Sequence, residues 1–111
     1  MALGVALGAF GAHALRERVE ATDLAIWHTA VQYHLLHALG LFIVAGIVHL
    51  LPAATAPRIA GWLMLVGILL FSGSLYVLVL SNTRWLGAVT PLGGAAFIGA
   101  WLLLAFGAWR G

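Results

Sequence analysis

The chain has 111 residues, of which 64% are hydrophobic and 7% charged, with five basic residues, three acidic ones and a mean hydropathy of +1.11. A soluble domain is about one quarter charged and roughly 45–50% apolar, so a chain this small could not cover its own surface in water. Soluble globular enzymes, disordered segments and nucleic-acid binders are set aside on that ground, and the absence of cysteine removes disulfides, thiolate metal sites and cysteine nucleophiles.

Met1–Leu15 is the first apolar run, short against the roughly 20 residues that a membrane-crossing helix needs. Ala12-His13-Ala14 has the form of a signal-peptide cleavage site, but no Lys or Arg precedes it and three longer apolar runs follow. A first transmembrane helix is expected instead, one that begins a few residues ahead of Met1. Arg16, Glu17, Arg18, Glu20 and Asp23 then form a polar segment that belongs in water. In Thr22–Val31, Leu24, Ile26, Trp27 and Val31 recur at helical spacing beside the polar Asp23 and His28. That pattern fits a short amphipathic helix in the interface or a second helix that starts early and projects above the membrane. Apolar character runs on to Leu51, and Pro52–Arg58 is the next break.

Ile59–Leu80 carries no charge, and Ser81–Arg84 ends it. Thr90-Pro91 reads as an N-cap followed by proline at the first helical position. Arg84–Val89 would then be an interfacial loop with Trp85 at headgroup depth. No strand-like alternation of apolar and polar residues suggests a membrane barrel. The expected fold is therefore a single-domain, all-α integral membrane protein, an antiparallel bundle of four transmembrane helices. The spans are placed at about 1–15, 32–51, 59–80 and 91–109. Arg16, Arg18 and Arg84 would share one side against Arg58 and Arg110 on the other, a bias too small to fix orientation.

In that topology His13, Gln32, Tyr33, His34, His37, Ser72, Ser74, Tyr76 and Thr90 all fall in the same half of the bilayer, while the other half is almost purely aliphatic. Polar side chains in lipid turn inward and pair, so a polar cluster between the helices is expected, opening toward the first and third loops. It can be a hydrogen-bonded lock or a pocket. Small residues form a second signal: Gly4 and Gly8 on helix one, Gly67 and Gly73 on helix three, Gly93 and Gly94 on helix four. Such residues let helix backbones approach closely, within the chain or between copies.

No catalytic constellation appears, because the three acidic residues lie in one segment and there is no lysine. No cofactor or metal is expected, since nothing fixes a ligand geometry around the histidines. A proton-coupled exporter would need an acidic residue inside the membrane, and none is present.

Gly8–Leu15 (GAFGAHAL), Ala30–Leu41 (AVQYHLLHALGL), Phe71–Tyr76 (FSGSLY) and Arg84–Gly94 (RWLGAVTPLGG) together resemble a bacterial membrane family of unknown function related to transmembrane protein 256. The resemblance implies a four-helix inner-membrane protein with no established reaction. It matches His13, Tyr33, His37, Ser72, Ser74, Tyr76, Thr90, Pro91 and Gly93 to motif positions, while His34 stands where the family usually has Gln. The expected function is a non-enzymatic structural or accessory membrane component, self-associating or bound to a larger membrane complex. The alternative is a small-ligand, lipid or quinone-binding protein or transporter that uses the cluster as its pocket.

Overall fold

The computed structural model describes residues 1–110 of the chain. They form four helices: α1 (Ala2–His13), α2 (Ala21–Leu50), α3 (Ala56–Ser81) and α4 (Thr90–Arg110). Single 3₁₀ turns at Leu15–Glu17 and Arg84–Ala88 lie in the first and third connections. Three helical stretches, α2, α3 and Arg84–Arg110, are long and apolar enough to cross a membrane. At 12 residues α1 is not, since it rises only about 18 Å. Leu36, Leu39, Phe42, Trp62, Leu69, Ile98 and Leu102 point outward, an arrangement suited to lipid.

Successive helices pack antiparallel. Gly4, Gly8 and Gly11 of α1 lie against Leu35, Val31 and Trp27 of α2 in reverse order. The Trp27 indole N–H donates to the Leu7 carbonyl at 2.9 Å, and its ring meets those of Phe10 and Tyr76. Trp27 is wholly buried in a core with Leu15, Val31, Leu78 and Val79. Toward the other end, Val44, Ala60, Met64, Ala100 and Leu104 join α2, α3 and α4.

One open reading is decided and one expectation is corrected. The second helix begins at Ala21 and continues unbroken through Thr22–Val31, so there is no separate interfacial helix. The physical reason is that Trp27 and Val31, the apolar stripe of that segment, are covered by α1 and the end of α3 and leave no face for the interface. Thr90 is not an N-cap but the first residue of α4. The turn Arg84–Ala88 runs directly into the helix, and the Leu92 amide is already satisfied by the Val89 carbonyl at 3.0 Å.

At the α3–α4 seam the backbones of the two helices come into direct contact. Residues Ile68–Gly73 of α3 form a π-helical turn, and Gly93 of α4 sits on it. A Cβ at Gly93 would collide with the Phe71 amide nitrogen and lie 2.8 Å from the Leu70 carbonyl carbon, so only a hydrogen fits there. Gly67 faces the Phe97 ring in the same seam, where an added methyl would also clash. Beyond Ser81 the chain turns through Asn82 in the left-handed region, φ 56°, a conformation that Asn tolerates better than most residues. Arg84 then reaches back, its guanidinium bidentate on the Asp23 carboxylate at 2.8 and 2.9 Å and its Nε on the Asn82 side chain at 2.7 Å. That clamp ties the start of α2 to the α3–α4 connection.

Gly93→Ala is expected to destabilise the protein by about 1–3 kcal/mol, because the clash is with backbone and cannot relax by a rotamer change. Gly46→Ala, where nothing lies within 4 Å, should be neutral or slightly stabilising. Unfolding equilibria of the two variants in bicelles measure the contrast.

Candidate functional site

The polar side chains of α2 and α3 lie where these two helices meet each other and α4. On α2, Tyr33, His34 and His37 fall within one turn. His37 is buried, and its Nδ1 lies 2.8 Å from the Tyr33 carbonyl one turn earlier. A carbonyl can only accept, so Nδ1 carries the proton. Trp101 of α4 donates its indole N–H to the bare Nε2 at 2.9 Å. Both ring nitrogens are thereby spent, and the imidazole is held as one neutral tautomer stacked on Phe97 at 3.5 Å. In this state it has no lone pair left for a metal and no free N–H for proton transfer.

His34 behaves differently. Its Nδ1 pairs with the Tyr76 hydroxyl of α3 at 2.9 Å, while Nε2 has no partner among the described residues. The side chain is 7% exposed and lines a groove between α1, α2 and α3.

The serines of α3 close the structure around the π-helical turn. Ser72 is fully buried and donates to the Ala30 carbonyl of α2 at 2.7 Å. Ser74 reaches the Phe71 carbonyl at 2.9 Å, a group within the π-helical turn, and meets the Thr90 hydroxyl of α4 at 2.7 Å. Thr90 also lies 3.4 Å from the Leu86 carbonyl. A consistent relay runs from Thr90 to Ser74 to Phe71: each hydroxyl donates once, Ser74 also accepts from Thr90, and the single Thr90 proton is then spent on the shorter contact rather than on the Leu86 carbonyl. The Phe71 carbonyl already accepts the Ser74 amide, so the hydroxyl fills its second lone pair and ties the turn to α4.

The expected cluster is therefore not one pool of polar groups. The structure brings together Ser72 with the α2 backbone, Ser74 with Thr90, His34 with Tyr76, and His37 with the Tyr33 carbonyl and Trp101. Tyr33 itself is half-exposed, its ring against Phe71 and Phe97 and its hydroxyl without a partner among the described residues. His13 and Gln32 are exposed and join none of these pairs. Of the small residues, Gly4 and Gly8 face α2, Gly67 and Gly93 form the α3–α4 seam, and Gly73 and Gly94 make only ordinary contacts. Among the described residues, no three His, Asp or Glu side chains converge as a metal site would require. Trp101 has no place in the sequence reading, and Trp27 enters it only as part of an apolar stripe, without its indole hydrogen bond. Their signal was available: an indole N–H in mid-helix must find an acceptor.

A continuous helical packing of this kind, with polar groups paired inside and apolar residues outside, defines a helical membrane protein. The family model described as protein of unknown function DUF423 matches residues 7–94. The UPF0382 membrane protein YwdK of Bacillus subtilis is 52% identical, over 96% of this chain and 86% of its own length. UPF0382 membrane proteins of Staphylococcus haemolyticus and Staphylococcus saprophyticus are 42% and 40% identical, over 92% and 97% of this chain and 82% and 88% of their own lengths. No solved structure matches the chain. The chain belongs to this bacterial family of membrane proteins of unknown function.

Ser74→Ala and Thr90→Val each break the relay, and their effects should be strongly non-additive. A double-mutant cycle in bicelles is expected to give a coupling of about 0.5–1.5 kcal/mol, and a value near zero would show that the two hydroxyls act independently. Trp101→Phe strands the His37 lone pair and should lower stability by about 1 kcal/mol.

Proposed function

We propose that the protein is a non-catalytic structural or accessory component of the bacterial inner membrane, a bundle of four membrane-embedded helices that self-associates or attaches to a larger membrane complex. The observation that carries this reading is the spending of polar capacity between helices. Ser72, Ser74, Thr90, His37 and Trp101 all bond one another or the backbone of a neighbouring helix. Groups used in this way hold helices in register. They are not left free to bind and turn over a substrate. Antiparallel packing and the apolar α1, whose Leu3, Val5 and Phe10 face outward, support a fourth embedded helix.

The chain contains no cysteine, so single-cysteine variants report topology directly. Cysteines replacing Arg18 and Asn82 should be labelled from one side of inverted vesicles, and those replacing Met1, Ala54 and Ala108 from the other. Labelling of the Met1 position from the same side as Arg18 would show that α1 does not cross. Native mass spectrometry from a mild detergent should give a whole multiple of the chain mass or a defined partner subunit. A bare monomer under all conditions would remove the assembly role.

A further inference from the structure

We propose that the groove between α1, α2 and α3 binds an uncharged amphiphile, whose carbonyl oxygen accepts a hydrogen bond from the His34 imidazole. This goes beyond helix locking and holds whether or not the chain joins a larger assembly.

The groove has a volume of about 340 Å³ and is walled by Leu3 and Leu7 of α1, Leu41 of α2 and Leu69 of α3, with His34 and Tyr76 as its polar groups. That volume lies in the range of small-molecule sites, which are mostly apolar with one or two placed polar groups. The side chains that line it carry no charge, and Met1 completes its wall, so the surface is mainly apolar and suits a ligand with an apolar body.

The protonation pattern of the His34–Tyr76 pair follows from counting. If His34 Nδ1 carried the proton, the Tyr76 hydroxyl would be left as a donor without an acceptor, and Nε2 would also be unpaired. If the Tyr76 hydroxyl donates to Nδ1, only the Nε2–H remains unspent. The second arrangement leaves fewer orphaned groups in apolar surroundings, where each is costly. Among the described residues no buried side-chain nitrogen or oxygen is both enclosed and unpaired, so the unpartnered Nε2 reaches accessible space. The ring edge next to it, Cδ2, faces α1, where a Cβ on Gly4 would lie 3.6 Å away. His34 thus presents one N–H donor to a lipid-accessible apolar groove, and a neutral acceptor on an apolar body complements it. His37 offers the contrast, since both of its nitrogens are already bonded.

A carbonyl on an apolar body has two sources in a membrane: a quinone ring or the acyl ester of a neutral lipid. The test uses the full chain in nanodiscs with ¹⁵N-labelled histidine. It is titrated separately with a naphthoquinone bearing one isoprenoid unit and with monooleoylglycerol, and the ring ¹⁵N signals are followed. The expected result is a saturable shift of the His34 Nε2 signal with one probe, the signals of His13, His28 and His49 staying still. Leu69→Trp, which fills the groove, should weaken that binding about tenfold or more, and Leu3→Trp serves if the first variant does not fold. Tyr76→Phe frees the tautomer and should weaken it severalfold. A response to the quinone alone assigns the ring, and a response to the glyceride alone assigns the lipid ester. The proposal is overturned if neither probe moves His34, if the shift persists unchanged when the groove is filled, or if Nε2 is already bonded without ligand, as it would be with a protein segment seated there.

Discussion

The close approach of α4 to the backbone of α3 is the constraint on which the other contacts depend. Gly93 rests directly on Leu70 and Phe71, and that contact is possible because neither a side chain nor a regular turn intervenes. In lipid no hydrophobic effect draws helices together, so van der Waals packing at small residues and interhelical hydrogen bonds carry association. The π-helical turn supplies the local irregularity, and the Ser74 hydroxyl adds a second hydrogen bond to the Phe71 carbonyl, which already accepts the Ser74 amide. Phe97, one turn beyond Gly93, is thereby placed over His37, and Trp101, one turn further, can reach the same imidazole. One seam therefore fixes the ring that holds α2 to α4.

The two histidines of α2 show how environment separates chemically identical groups. They are three residues apart and both buried, yet one faces α4 and the other faces α1 and α3. His37 meets a carbonyl and an indole, which fix its tautomer and saturate it. His34 meets a single hydroxyl and a groove. The difference arises from which helix each residue faces on a 3.6-residue repeat, a consequence of α2 lying among three neighbours. A fully bonded imidazole acts as a structural element, and a half-bonded one keeps a hydrogen-bonding capacity that the groove directs.

Much of the architecture was legible in the residues. Charge placement and the prolines marked the breaks, because charges and helix-breaking residues are costly in an apolar span. Ser72, Ser74, Tyr76 and Thr90 stood out as polar residues with no water to bond, which is why they were legible as an interhelical set. The entry into α2 was not legible. Trp27 and Val31 have the same spacing whether they face a membrane surface or another helix, and only the position of α1 distinguishes the two. Thr90 misled for a related reason: Thr-Pro is a good cap in isolation, but the preceding 3₁₀ turn already supplied the carbonyl that the first amides needed. Trp101 was overlooked because pairing with His37 spans two helices and leaves no local pattern.

By itself, the sequence determined that this chain belongs in a membrane, that it is helical, and which segments interrupt its apolar runs. Those properties follow from composition and from local backbone chemistry, which act over a few residues. Tertiary structure alone decided which polar groups are mutually satisfied and which one is left facing a groove. It also decided that an apolar stripe serves helix packing rather than the interface. These outcomes depend on distances between residues as far apart in sequence as His37 and Trp101, and such distances exist only once the helices have packed.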